Sequence, residues 1–463
     1  MKKLRIAIIG VVALLVLAAL AGPAFTGGIA ARQIEAGVAA INQQGQFGAS
    51  YTRTASGWFG QQGTLTITPR TAALARLLPA GQPITLHMDV AYGPFPFAAW
   101  GQGFTPWPVG AVINLRSPAL DRLLAKAHSG YTLRSTVGLA GGNDVLARLQ
   151  AGSYHTADGG SIDWQPLRLH AENLIVRHGM SAGDLGLRWK GLTFSKNGPG
   201  TPMQVQARVG TVELHGSSRF KDGVPIGRYR FTVASIEATP VPSAADQGFA
   251  LRTLRIVGGA AIGAPGFVDS SARIEIASLR AGADRFAPMA LDLDLTHLDI
   301  PAYVALTRAL QKAQRDAPPG TPPLVAARLS MAALQPPLMA LLARQPMLQL
   351  KQLRIGMPQG AVQGSGEISL TPPAGAVLTP QTLLPALRAH FTLSAPQTLA
   401  LYLATERAAK TGAPPAQQGA MAQQMLRQFV QQGLLRQQAG DYVLDLSVDK
   451  GAVQLNGRTI RQL

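Results

Sequence analysis

Between residues 46 and 299 hydrophobic and polar side chains alternate with a period of two. Gly63-Thr-Leu-Thr-Ile-Thr sets Leu65 and Ile67 against threonines. Ile84-Thr-Leu-His-Met-Asp-Val puts Ile84, Leu86, Met88 and Val90 on one side and Thr85, His87 and Asp89 on the other. Ala272-Arg-Ile-Glu-Ile-Ala and Leu291-Asp-Leu-Asp-Leu-Thr repeat the arrangement. Successive side chains of a strand point to opposite faces, so this pattern predicts antiparallel strands with one covered and one wet face. Turns rich in glycine, such as Ala140-Gly-Gly-Asn and Lys221-Asp-Gly, separate them and favour a meander or one long twisted sheet over a βαβ alternation.

Helices enter after strands, at proline. Ser117-Pro118, Pro301 and Pro396 each follow an alternating stretch and precede an apolar run. Proline suits the first helical position, where its missing N–H would be unpaired anyway. Leu329 to Leu342, with Pro336 and Pro337, reads as a degenerate fourth copy of this junction. A glutamine-rich helix over 416–435 carries Met421, Met425, Leu426, Phe429 and Val430 on one stripe. The chain closes on two alternating strands around Asp449-Lys450-Gly451, a hairpin turn, with a further turn at Asn456-Gly457. The expected fold class is α+β and β-rich: an N-terminal transmembrane helix, a long twisted antiparallel sheet with short helices packed on it, and a terminal β-hairpin. The corresponding segments are 1–26 (anchor), 27–45 (juxtamembrane helix), 46–299 (β-rich), 300–345 (helical) and 346–463 (mixed).

The anchor follows from the start of the chain. Lys2, Lys3 and Arg5 precede Ile6 to Ala31, which carries no charged side chain. About 20 apolar residues cross a bilayer core of roughly 30 Å, and the flanking cations keep the N-terminus cytoplasmic. A cleaved signal peptide is the competing reading. It is disfavoured because the apolar run is long and because Ile34, Val38 and Ile41 continue a helical stripe beyond it. Either way the body is expected outside the cytoplasm, in the periplasm.

Composition then narrows the chemistry. The 463 residues include no Cys, which excludes disulfides, thiol nucleophiles and cysteine-held metals. The 42 Lys+Arg against 24 Asp+Glu give a net charge of +18, but the arginines are dispersed at strand positions such as Arg228, Arg230, Arg252 and Arg255. Nucleic-acid binding wants a clustered stripe with aromatic platforms, and aromatics are only 6%. Solubility, with some attraction to an anionic membrane, accounts for the charge better. No phosphate-binding loop, dinucleotide fingerprint, zinc-protease motif or nucleophile elbow is present. His170 and Glu172 share one strand face and His178 follows nearby in sequence, but no third ligand converges on the pair, and Asp292 with Asp294 reads as the wet side of a strand. Trp58 and Phe59 are expected as core aromatics of the first strand. No catalytic, cofactor-binding or metal-ligating residue is assigned.

Three stretches carry a family resemblance: Tyr51-Thr-Arg-Thr-Ala-Ser-Gly-Trp-Phe-Gly after the anchor, Leu298-Asp-Ile-Pro-Ala, and the end of the chain, Gly433-Leu-Leu with Gly451-Ala-Val-Gln-Leu-Asn-Gly. In these the chain resembles the YdgA-like bacterial inner-membrane proteins, although Thr54, Ala55 and Ser56 separate Arg53 from Gly57 where the family pattern is tighter. The resemblance implies a single-pass inner-membrane protein with a periplasmic body and no agreed catalytic residues. Its layout is also similar to the AsmA- and TamB-like envelope proteins, whose curved sheets hold lipid; this is analogy of fold alone.

The resulting expectation is a non-catalytic envelope protein that binds or shields hydrophobic material such as lipid, or scaffolds a partner. Leu86, Met88, Val90, Leu291, Leu293 and Leu295 are the expected apolar sheet face. The alternatives are a periplasmic hydrolase with an unrecognised site and an oligomeric structural adaptor. Expected partners are the inner membrane, a lipid or other hydrophobic ligand, and a second copy of the chain; no nucleic acid and no cofactor are expected.

Overall fold

The computed structural model describes residues 30–39, 41–42, 47–70, 83–93, 109–139, 142–156, 159–177, 180–196, 204–241, 248–316, 330–371 and 380–462, with Gly28, Pro96, Ala99, Val325 and Arg328. The expected anchor, 1–26, lies outside the described residues. Among the described residues no helix is long and apolar enough to cross a membrane.

Alternation becomes a single antiparallel sheet, and the sheet is a meander. Helix α1 (30–39) precedes strands β1 (Phe47–Gly57), β2 (Gly60–Pro69), β3 (Ile84–Tyr92) and β4 (Ala111–Arg116). Helix α2 (Pro118–Lys126) leads to β5 (Tyr131–Val137). Four passes of the chain are then each broken into two strands. These are β6 and β7 (Asn143–Leu149, Gly152–His155), β8 and β9 (Gly160–Trp164, Leu167–Arg177), β10 and β11 (Met180–Trp189, Leu192–Lys196), and β12 and β13 (Gln204–Val209, Val212–Lys221). The long strands β14 (Val224–Val241), β15 (Phe249–Ile262) and β16 (Phe267–Ala281) follow, then β17 and β18 (Asp284–Phe286, Met289–Asp299).

Helices α3 (Ile300–Asp316) and α4 (Met331–Leu342) come next. The sheet resumes with β19 (Met347–Met357) and β20 (Gly360–Leu370). Helix α5 (Pro380–Ala386) leads to β21 (Leu387–Pro396), and helices α6 (Gln397–Lys410) and α7 (Pro415–Gln431) to β22 (Arg436–Gln438), β23 (Asp441–Asp449), β24 (Ala452–Leu455) and β25 (Arg458–Gln462). β18 pairs directly with β19. The helical stretch 300–345 is therefore an insertion between two neighbours of one sheet.

The proline junctions differ in detail. Ser117 caps α2, its Oγ accepting from the Leu120 N–H at 3.5 Å, and Pro118 takes the first helical position. The carboxylate of Asp299 accepts from the Ala302 N–H at 3.0 Å and does the same work for α3. Pro396 instead ends β21 and precedes α6 as its N-cap. In the fourth copy Pro336 and Pro337 lie inside α4 instead of at its start, and among the described residues no strand leads into that helix. The terminal hairpin turns through Lys450 and Gly451, both at positive φ (49° and 79°), as a tight two-residue turn requires.

Eight successive passes, from β6–β7 through β17–β18, share one irregularity. Inward apolar positions are two apart within a strand, but at one level of the sheet each pass steps by three. The steps are Leu149 to Gly152, Trp164 to Leu167, Trp189 to Leu192, Val209 to Val212, Val233 to Ile236, Leu251 to Leu254, Ile276 to Leu279 and Phe286 to Met289. A lone extra residue would send everything beyond it to the wrong face. Added to every pass at the same level, it creases the sheet and leaves the register intact. Backbone bonds cross the crease, Gln165 N–H to the Gly191 carbonyl at 2.9 Å and Gly210 N–H to the Ser235 carbonyl at 2.8 Å. Gly191 sits there at φ +108°, where a Cβ would come 2.1 Å from the Val209 carbonyl oxygen.

Candidate apolar face and cleft

Residues directly opposite one another in antiparallel strands lie on the same face. Followed through the register, one row runs Met88, Leu115, Leu133, Ala147, Leu169, Leu187, Leu214, Phe231, Ile256, Ile274, Leu291 and Leu353, then Gly364, Leu393 and Leu444. No polar side chain interrupts it. The row beside it passes through Ala171, Leu185, Gly216, Tyr229, Gly258, Ala272, Leu293 and Leu350. On its other side lie Leu149, Leu167, Trp189, Val212, Val233, Leu254, Ile276, Met289 and Ile355.

Most of these side chains are half-buried, touched by neighbours along the sheet but belonging to none of the closed cores. Leu185 and Tyr229 are 38% and 42% exposed. The opposite face carries Arg148, Arg168 and Arg188 in direct register, with Arg188 paired to Glu213 at 3.3 Å. Arg134 nearby has its pKa lowered, first by burial and then by the charge of Arg148.

The sequence-derived apolar face divides into two groups with different surroundings. Leu86, Met88 and Val90 are buried, and Met88 and Val90 share a core with Ala30 and Ile34 of α1, Tyr92, Ala111, Ile113 and Val137. Helix α1 thus closes the N-terminal end of the face. Leu291 and Leu293 stay half-buried in the open rows, while Leu295 packs on the core made by Leu298, Ile300, Ala302 and Leu341. Sequence reasoning misses Leu169, Leu187, Leu214, Phe231 and Ile256, and it reads Ile274 as part of an alternating strand without placing it on this face. Their signal is the same alternation, as in Tyr229-Arg-Phe-Thr-Val, but only register shows that they join one row.

At the C-terminal end the row enters a cleft of about 530 Å³ between α6, α7 and the sheet. Leu393 and Leu444 form part of its floor, and Leu403, Ala404, Met425, Leu426 and Phe429 form its helical walls. The helix stripe read from the sequence supplies Met425, Leu426 and Phe429, whereas Met421 is 42% exposed. Asn456 holds the strand side in place: its amide donates to the Gly433 carbonyl, and its Oδ1 accepts from the Asp445 N–H, both at 2.9 Å.

Other candidate groups stand apart. Asp292 and Asp294 are not a free carboxylate pair. Asp292 is 8% exposed and is gripped by Arg273, and Asp294 pairs with Lys351 at 2.5 Å, which raises the Lys351 pKa. Covering by Arg273 makes the expected wet position of Asp292 a buried one. His170 lies against Gly186, His178 is outside the described residues, and no metal-holding cluster occurs among the described residues. His390 lies 3.3 Å from Asp445 with Ser447 opposite in register, on the exposed polar face. Trp58 and Phe59 are not core residues. They occupy the two-residue turn between β1 and β2, where neither can face the sheet, and are 60% and 51% exposed.

Residues 1–462 match the model of a bacterial family described as "Bacterial protein of unknown function (DUF945)". No curated protein and no solved structure matches the chain.

Proposed function

We propose, from the premise that this chain belongs to the DUF945 family of bacterial proteins of unknown function, that it is a non-catalytic envelope protein whose apolar sheet face holds or shields hydrophobic material, lipid first of all. The finer reading is YdgA-like: a single span in the inner membrane, the N-terminus cytoplasmic and the sheet in the periplasm. The observation that supports it is the set of three contiguous apolar rows crossing the sheet, over whose middle no closed core forms among the described residues. An ordinary sheet buries such a face beneath a second layer, because leaving it wet forgoes about 25 cal/mol for each Å². Large continuous apolar surfaces on soluble parts of proteins mark interaction sites.

The test is purification of the full chain from membranes, followed by mass spectrometry of what co-elutes. Phospholipid in stoichiometric amount is expected, and it should be lost when Ile256 and Ile274 are both changed to Glu in a chain that still melts cooperatively. Absence of any bound lipid from the unaltered chain would overturn the reading and leave scaffolding in its place.

A further inference from the structure

We propose that the cleft between α6, α7 and the sheet takes one hydrocarbon chain of an anionic amphiphile, with Arg407 at its rim pairing with the carboxylate or phosphate head. The proposal rests on the reading of the apolar face as a lipid surface and names the chemistry of one end of it. The cleft is nearly all hydrocarbon: among the residues around it only Ser394, Arg407 and Tyr442 bear polar side-chain groups. At about 530 Å³ it falls within the range of small-ligand sites. A peptide entering it would bury backbone N–H and C=O groups with few partners, which is costly, whereas an alkyl chain needs none. Arg407, in the last turn of α6, is exposed, and no ion pair joins it to another described residue. A guanidinium at the mouth of a dry cleft favours an anionic head over a neutral or cationic one. Leu393 and Leu444 belong to the first apolar row as well as to the cleft floor, so a chain lying along the sheet enters the cleft without crossing a polar barrier.

The test places the full chain in nanodiscs of neutral phosphatidylcholine and adds three photoactivatable probes with the reactive group at the chain end: an alkyl phosphate, an alkyl carboxylate and an alkyl trimethylammonium. Peptide mass spectrometry then maps the adducts. Adducts on Met425, Phe429 or Leu444 with either anionic probe, absent with the ammonium probe, are the expected result. Labelling by the phosphate alone assigns a phospholipid head, and labelling by the carboxylate alone assigns a fatty acid. Occupancy should rise about fourfold per methylene until the chain fills the cleft. Arg407→Glu should abolish the preference for anions, and Ala404→Trp should block labelling; Ala404→Leu is a milder second variant should the tryptophan fail to fold. Equal labelling by the ammonium probe, or no adducts in the cleft, would overturn the proposal. Adducts confined to Leu254 and Ile276 would sink the cleft while sparing the lipid face.

Discussion

The ring of Tyr229 lies over Gly258 of the neighbouring strand, so close that a Cβ on Gly258 would stand 2.6 Å from the tyrosine hydroxyl and 2.8 Å from the Ser271 carbonyl oxygen. The pair is one link of the second apolar row, and it shows how that row accommodates large side chains: a ring on one strand covers a bare backbone on the next. Phe391 stands in the same relation to Gly366. Gly258→Ala is expected to destabilise the protein by about 1–3 kcal/mol, the usual cost of overpacking. Combining it with Tyr229→Ala should recover only part of that loss, because the Ser271 contact remains. Urea unfolding of the four members of the cycle measures the coupling.

Glycines at positive φ separate two kinds of constraint. At Gly223, with φ +84°, a Cβ would have nothing within 4 Å, whereas at Gly191, on the crease, it would have the Val209 carbonyl oxygen 2.1 Å away. Alanine at 223 should cost about 1 kcal/mol, the strain of the backbone alone. At 191 the cost should be larger by at least about 2 kcal/mol, since backbone on the adjoining pass must move as well. Equal melting points for the two variants would show that the crease has slack.

Arg273 and Asp292 should respond unequally to mutation. The Asp292 side chain retains 12% of its accessible surface and that of Arg273 57%. Removing the carboxylate leaves a guanidinium that water can reach, whereas removing the guanidinium leaves a carboxylate that water reaches poorly. Arg273→Met is therefore expected to lower the denaturation midpoint further than Asp292→Asn does. Urea titrations at constant slope read the difference directly, and an equal or reversed order would contradict the unequal burial.

Alkaline titration tests the core beneath α1. Burial, with the neighbouring Tyr51 adding to it, pushes the Tyr92 phenol from the ordinary 10.0 to about 12. The fold holds Tyr92 protonated where the unfolded chain has already lost its proton. This contribution is thus complete below pH 10 and is lost as the pH rises from 10 towards 12. Tyr92→Phe should flatten that part of the stability curve, and a phenolate absorbance appearing near pH 10 for every tyrosine would contradict the burial.

How far the sequence is legible follows from what period-two alternation can and cannot carry. Alternation is a local property of one strand, so it puts Leu86, Met88 and Val90 on one side of β3, and likewise Leu291, Leu293 and Leu295 on one side of β18. That α1 covers the first group is a tertiary fact, and nothing in Ile84 to Val90 encodes it. The crease escapes notice because a step of three, such as Val233 to Ile236, looks like a lapse in the pattern when it is met in one strand. Only its recurrence in paired strands at one level gives it meaning. For Trp58 and Phe59 aromatic size suggests burial, while Gly57 and Gly60 on either side mark the turn that overrides it.

With the exception of the short β22, which is skipped where β21 pairs with β23, the described passes of the sheet pair with passes adjacent to them along the chain. As the chain lengthens from its N-terminus, nearly every new pass finds a neighbour already in place, and short strands such as β7 and β22 wait only for the strand that follows them. Such a sheet can close progressively, with a single growing edge and low contact order for so many strands. The same order makes its length adjustable: two adjacent passes can be gained or lost together, extending or shortening the apolar track while the strands on either side keep their direction.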